Sequence, residues 1–476
     1  MTSPVRTRAS PLAADAAERA IDRAASGRPI PGNRVRLLFD GPVAFEAMLE
    51  IIRGARRWIH FDNYIFQGDD VGQQFAAALS SRAKEGLDVR VSVDWFGSFR
   101  TGRAFWRRLE EAGVAVRQFN RPGLFDLPSL LSRNHRKLIV ADGVRAVIGG
   151  ICIGDEWAGD VAAGRQPWRD TAVMVEGPAA TMLDHAFART WTRIGSPLPP
   201  DEQAREVESM GPAAVRVLEG EPVQERAYRV TELLLAQAAD RVWVTDAYLV
   251  APRRLLRYLV DAARDGIDVR LLVPGSSDIP FIRNLTRIGY RDLLRAGVRI
   301  FEWNGPMLHA KTVVADSRWV RVGSSNMNHS SLVGNYELDV LIDDPDLASQ
   351  MEAQFRRDID RSSEVTMRPR RLPKPLKRVL STKLDIQTPD TEPGPHRAGL
   401  RERRGRSVLA MRTLVAGARL AIFGPLSVAL ALVAVLFLLV PRTMAILFAI
   451  LSLWLAAVSG AEAIRRHRDP LQPPPE

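Results

Sequence analysis

The sequence predicts an α/β protein built from two copies of one unit, followed by a pair of apolar helices of membrane-crossing length. Three observations carry this. Four segments recur in the same order roughly 180 residues apart. Each copy alternates β-branched runs with segments of helical spacing. Residues 421–461 contain one charge, Arg442, in 41 positions.

The repeat is read directly from the residues. Arg57-Trp-Ile-His-Phe-Asp-Asn-Tyr-Ile-Phe66 resembles Arg241-Val-Trp-Val-Thr-Asp-Ala-Tyr-Leu-Val250, with Asp62 and Tyr64 matching Asp246 and Tyr248. Glu85–Val91 matches Asp265–Leu271, and Ala112–Val116 matches Ala296–Ile300. His135–Asp142 matches His309–Asp316, so the offsets are 184, 180, 184 and 174 residues. A period this long indicates a duplicated domain rather than a solenoid. Within each copy, residues 58–66 and 242–250 read as strands, and 74–84 and 253–264 as helices. Residues 89–94 and 269–273 read as further strands. His135–Asp142 and His309–Asp316 each open a hairpin, with Asp142-Gly143 as the first turn. On a strand, residues i and i+2 face the same way, so His135 and Lys137 share a face, as do His309 and Lys311.

The chain has 476 residues, enough for two to four domains. Its single cysteine, Cys152, excludes an internal disulfide and a cysteine-based metal site. Net charge is +11, but residues 368–419 hold 14 basic and 4 acidic groups, while residues 1–367 hold 48 of each. A neutral body with one local basic segment points to an anionic membrane surface rather than to nucleic acid. Residues 421–440 and 443–461 are each long enough to cross about 30 Å of hydrocarbon. Arginines flank both ends of the pair (Arg412 and Arg419 before, Arg465 and Arg466 after), which places both ends in the cytoplasm. No apolar stretch near the N-terminus resembles a signal peptide. The expected layout is a flexible segment 1–32 with a short helix at 13–25, repeats at 33–205 and 206–366, and a basic Pro-rich linker at 367–419. A transmembrane hairpin at 420–462 and a tail at 463–476 follow. The catalytic part is expected on the cytoplasmic side of a multi-pass cell-membrane protein.

Both copies carry His-x-Lys-x4-Asp: His135, Lys137, Asp142 and His309, Lys311, Asp316. The chain has 60 Arg but only 6 Lys, so two lysines at matching places are a meaningful choice. Lysine is a compact charge on a flexible stem, suited to a phosphate whose geometry changes during reaction. Phosphodiester chemistry needs a nucleophile able to carry a phosphoryl group and an acid for the leaving oxygen; two imidazoles supply both. Two lysines can neutralise the non-bridging oxygens. The halves must then face each other, and neither metal nor cofactor is required.

On these two motifs and their trailing segments, the sequence resembles the phospholipase D superfamily, and within it the bacterial cardiolipin synthases. The trailing residues are Gly323-Ser-Ser-Asn-Met-Asn328 and Asn335-Tyr-Glu337 in the second copy. In the first they are Gly154-Asp-Glu-Trp157 and Trp168-Arg-Asp170. The resemblance covers roughly residues 33–365. It implies two pseudo-symmetric α/β/α sandwich domains and a phosphohistidine intermediate. It further implies phosphatidylglycerol and anionic membrane lipids as partners, and cardiolipin as product. Phospholipase D-type hydrolysis, of a lipid or of a nucleic acid, is the alternative. The resemblance makes one motif histidine the nucleophile and the other the acid/base, taken as His135 and His309 with the reverse open, and Lys137 and Lys311 the phosphate holders, helped by Ser324 and Asn326. It assigns Asp170 and Glu337 to orienting the histidines. Asp142 and Asp316 complete the motifs, holding a turn or loop rather than touching phosphate. The first copy departs from the family pattern at Gly149-Gly-Ile-Cys152, with Cys152 where an asparagine is usual. His60, His185 and His329 read as structural. The apolar stretch 124–131 reads as core or as a bilayer contact. Asp278-Ile279-Pro280, with residues 283–287, reads as a headgroup contact or a helix cap.

Overall fold

The structure, a computed structural model, describes residues 11–121, 132–203, 207–279, 285–367 and 384–387. These residues fall in one compact unit, Met1–Pro389. The two expected transmembrane runs, the basic linker apart from Met367 and Leu384–Gln387, the 124–131 stretch, Pro280 and residues 283–284 lie outside the described residues. Among the described residues no helix is long and apolar enough to cross a membrane.

Each half is a seven-stranded mixed sheet with the same strand order. In the first, Ala115–Phe119, Asp88–Asp94 and Trp58–Asn63 run parallel. Lys137–Ala141, Arg145–Gly149, Thr171–Glu176 and Ile30–Phe39 then follow antiparallel. In the second, Arg299–Trp303, Asp268–Pro274 and Arg241–Thr245 are the parallel trio. Thr312–Ala315, Trp319–Gly323, Asn335–Asp343 and Ala213–Gly220 complete it. Ser362–Met367 adds an edge strand beside Arg299–Trp303. The strands are apolar on both faces because both are covered. The inner faces meet in a shared core where Val140, Ile148 and Val173 join the cluster of Val314, Val322 and Val340. The helices Pro178–Arg193 and Pro345–Ile359 pack into that core. The helices Asp40–Gly54, Asp70–Lys84 and Arg103–Glu111 cover the outer face of the first sheet. Arg226–Gln237, Arg253–Arg264 and Tyr290–Ala296 do the same for the second. Each sheet is thus sandwiched between helices, as expected, but the two halves share one core.

The short helix expected at 13–25 is present, and it is packed against the body of the protein. Pro11–Ala25 is a helix whose Ile21, Ala24 and Ala25 are buried. Asp22 (3.0 Å) and Glu18 (2.5 Å) accept from the guanidinium of Arg216, which is itself buried. An Ala-rich sequence gave no sign of this, because the pairing partner lies almost 200 residues away. His60 is a core histidine: its Nδ1 lies 2.6 Å from Asp184, and its ring stacks on Phe187.

Both hairpins form. Asp142 and Gly143 take positive φ (56° and 66°), and Asp316 and Ser317 do so in the second copy (51° and 52°). Positive φ at both central residues is what a tight two-residue hairpin turn requires.

Candidate active site

The carboxyl ends of both parallel trios point to one region, the usual place for a site in open α/β sheets. There the structure brings together His135, Lys137, Asp170, His309, Lys311 and Glu337, all buried. The histidines lie just ahead of their strands rather than on them, and backbone pairing with the opposite half fixes each. The short Arg133–Asn134 strand pairs with Asn335 and Tyr336, and the His135 N–H donates to the Tyr336 carbonyl (2.9 Å). Leu308 bridges Arg169 in the same way, and the His309 N–H donates to the Arg169 carbonyl (2.7 Å). Each histidine therefore sits beside the residue preceding the other half's acid.

The consequence is a crossed pair. His135 Nδ1–H donates to Glu337 Oε2 (2.9 Å), and His309 Nδ1–H donates to Asp170 Oδ2 (2.7 Å). An ionised carboxylate only accepts, so Nδ1 carries the proton in both rings. Nε2 of each ring is left for the substrate. Burial opposes ionisation of Asp170, but His309, Lys311 and the Trp157 indole N–H outweigh it and hold the carboxyl down at about 2. Glu337 is likewise lowered, chiefly by His135 against the effect of burial. Burial lowers both imidazoles. Lys311 reinforces this at His309, which falls to about 4, while Glu337 partly offsets it at His135.

The lysines lack counter-ions. Lys137 Nζ donates to the His135 carbonyl (2.5 Å), and Lys311 Nζ donates to that of His309. No carboxylate reaches either ammonium as an ion pair among the described residues. Burial depresses both, taking Lys311 down to about 8. Each ammonium has one carbonyl acceptor and a tyrosine face, Tyr64 (5.0 Å) for Lys137 and Tyr248 (5.9 Å) for Lys311, so an anion between them would relieve both.

The two acids are supported differently. Ser324, expected at the phosphate, donates its hydroxyl to Glu337 Oε2 (2.5 Å). Asn335 donates to Glu337 Oε1 (3.2 Å). In the first copy Gly150 stands where Ser324 does, and a Cβ there would overlap the Asp170 carboxylate. Trp157 Nε1 takes the hydroxyl's place, donating to Asp170 Oδ2 (2.9 Å). The departure at Gly149–Cys152 is therefore a different cradle for the same carboxylate. Cys152 is fully buried, and burial raises its thiol, so it is no nucleophile. Asn326 is buried with its amide oxygen unpartnered.

Aromatic walls complete the site. Tyr64 packs edge-on against His135 (4.8 Å), and Tyr248 against His309 (6.0 Å). Trp157 and Trp168 also face His309 (5.3 and 5.8 Å). The matched tyrosines were visible in the repeat; the tryptophans were visible only as part of the trailing motif.

Asp142 and Asp316, which complete the two motifs, stand at the hairpin turns, in keeping with their reading as turn-holding residues. Each lies five residues past its lysine, about 17 Å along a strand. Asp142 accepts from the backbone N–H of Arg56, Arg57 and Trp58, and Asp316 from Ala239, Asp240 and Arg241. They fasten the start of the neighbouring strand to the hairpin turn. Asp142→Ala or Asp316→Ala is expected to lower stability by about 2–4 kcal/mol, read by denaturant melts. Specific activity of the folded fraction should stay near wild type.

Among the described residues no group of three or more His, Cys, Asp or Glu side chains is placed to hold a metal ion.

Comparison with known proteins fits this geometry. The family description "Cardiolipin synthase, PLD-like domain" matches residues 233–359. Cardiolipin synthase A of Pseudomonas syringae pv. syringae (strain B728a) is 32% identical over 354 residues, covering 74% of each chain. Cardiolipin synthase A of Pseudomonas aeruginosa (strain LESB58) is 33% identical over 345 residues, covering 72% of this chain and 70% of that one. Among solved structures, phosphatidylserine synthase of Haemophilus influenzae Rd KW20 superposes with a TM-score of 0.59 at 17% identity. It covers 73% of this chain and 92% of its own, a likeness of fold.

Proposed function

We propose, from the premise that this chain belongs to the cardiolipin synthase family of phospholipase D-like proteins, that it is a phosphatidyltransferase making cardiolipin from two molecules of phosphatidylglycerol. The observation that carries the reading is the pair of buried lysines without counter-ions among the described residues, each beside a histidine whose Nδ1 is held by a carboxylate. A phosphodiester monoanion fits between them.

The chemistry runs in two displacements. His135 Nε2 attacks phosphorus, forming a P–N bond as the bond to the glycerol oxygen breaks. His309, as imidazolium, gives its Nε2 proton to that oxygen, and glycerol leaves. His309 then takes the proton from a headgroup hydroxyl of a second phosphatidylglycerol, whose oxygen attacks phosphorus. The P–N bond breaks, its electron pair returns to His135, and cardiolipin leaves. In the empty site burial and the lysine charge keep His309 neutral. A bound phosphodiester offsets the lysine charge and draws a proton onto the ring, where Asp170 stabilises the imidazolium. Glu337 holds His135 in the same way, so the acid/base role of His309 is part of the proposal. The anionic lipid partners, the 421–461 membrane hairpin and a cytoplasmic catalytic unit belong to the same reading.

The test is a mass-spectrometric assay of reconstituted protein with phosphatidylglycerol alone. Cardiolipin plus glycerol is expected; phosphatidic acid would make water the acceptor and the protein a hydrolase. The pH profile offers a second check. Lys311 loses its proton as pH rises through about 8, so kcat/KM, which reports the free enzyme, should fall above that pH. A kcat/KM flat to pH 10 would remove Lys311 from phosphate binding.

A further inference from the structure

Phe96 and Phe99 are the only exposed phenylalanines among the described residues, at 52% and 59% exposure. They stack on each other (6.0 Å) in the loop after the Asp88–Asp94 strand, at the end of the sheet that holds the site. The loop is firmly tied. Asp94 Oδ1 accepts from the N–H of Phe96 (2.9 Å) and Gly97 (3.0 Å), while its other oxygen accepts from Asn134, the residue before His135. Ser98 donates to the carbonyl of Tyr64, whose ring packs on His135 (3.2 and 4.8 Å). A loop this well bonded shows its aromatic pair to solvent as a fixed feature, and a fixed exposed apolar patch marks an interaction surface.

Its surroundings identify the partner. Residues 95–103 carry Arg100 and Arg103 and no acid. Both are exposed, as is Arg121, and none makes an ion pair among the described residues. Behind the loop lies a cleft of about 860 Å³ lined by Arg103, Arg107, Arg117, Arg121 and one acid, Glu110, with Arg107 also paired to Glu111 (3.4 Å). The second half repeats the placement. Asp278 accepts from the hydroxyl of Tyr248 (2.9 Å), whose ring faces His309, and the next residue, Ile279, is exposed. Exposed aromatic side chains among unpaired arginines suit the boundary between acyl chains and anionic headgroups.

We propose that loop 95–103 docks the mouth of the active site onto an anionic bilayer. Phe96 and Phe99 enter the headgroup–acyl boundary, and Arg100, Arg103 and Arg121 hold lipid phosphates. This rests on the lipid-transfer reading, because a lipid substrate must leave the bilayer at the mouth of the site.

The single native cysteine is fully buried, so one surface label can be placed cleanly. The full chain carrying Phe99→Cys, labelled with a polarity-sensitive fluorophore, is reconstituted into vesicles of phosphatidylglycerol and phosphatidylcholine containing a lipid-borne quencher. A Glu85→Cys label, on the exposed far end of the same layer, is the control. Blue-shifted, quenched emission at position 99 alone, weaker in pure phosphatidylcholine, is expected. A water-like, unquenched label at position 99, or equal response in neutral vesicles, overturns the proposal. So does protection of the label without lipid, which would mean a protein partner. In activity, Phe96→Ser with Phe99→Ser should slow turnover of vesicle lipid by at least about tenfold, and leave turnover of monomeric short-chain phosphatidylglycerol unchanged. Equal loss on both substrates also overturns it. Failure of the transfer reading is seen separately, as no phosphatidyl transfer by the wild type on either substrate.

Discussion

His135→Ala and His309→Ala are each expected to lower phosphatidyl transfer by about 10⁴-fold or more. The double variant should be little worse than either single one, because groups acting as one unit do not contribute additively. The two singles should separate when the leaving group changes. A phosphatidyl ester of p-nitrophenol has a leaving oxygen that needs no proton. With it, His309→Ala should regain the first displacement and accumulate an acid-labile phosphohistidine at His135, visible by intact-protein mass spectrometry. His135→Ala has no atom to carry the phosphoryl group and should gain nothing. The reverse pattern would exchange the two roles while leaving the site intact. No response from either variant, with both folded, would remove the covalent intermediate. The need for two separate histidines is geometric. Each ring has one nitrogen committed to a carboxylate and one left free, so neither can perform both tasks in one step.

Much of this site was legible in the sequence, and what was not follows one rule. The duplicated His-x-Lys pairs named four of the six central residues, since chemistry restricts residue type and duplication restricts chance. The strands and helices of each half also followed from periodicity, because their faces are buried on both sides. Contacts between the halves were not legible. The Glu18 and Asp22 pairing to Arg216 spans almost 200 positions. The exchange by which each acid serves the other half's histidine spans 202 and 139. Periodicity and motif spacing are local, so they identify Asp170 and Glu337 as candidates without saying which histidine each holds. Ser324 shows the same limit at short range. Its place in the motif suggested phosphate, but its hydroxyl donates a hydrogen bond to the Glu337 carboxylate. Asp142 and Asp316 were legible as turn residues, because a hairpin turn is a local feature.

Asp170→Asn should cost about 10²–10⁴-fold in kcat, and the shape of its pH profile distinguishes a catalytic effect from a packing effect. The Asp170 carboxylate raises His309 toward protonation. Without it the imidazolium gives up its proton at lower pH. The acid role needs that proton, so the alkaline limb of the profile should move to lower pH and the active window should narrow. The same carboxylate raises Lys311, so both changes move that limb in one direction. Glu337→Gln acts on the other histidine. Glu337 raises His135, and removing its charge keeps that ring neutral to lower pH. The nucleophile must be neutral, so the acid limb should move to lower pH and the window should widen, even as the maximal rate falls. Had each acid served the histidine of its own half, these two signatures would be exchanged. Asp170 is the acid of the first copy and His309 the histidine of the second, so the profile tests the crossed pairing itself. A uniform drop in rate with unmoved limbs in both variants would mean that the carboxylates hold the fold and leave the proton chemistry alone.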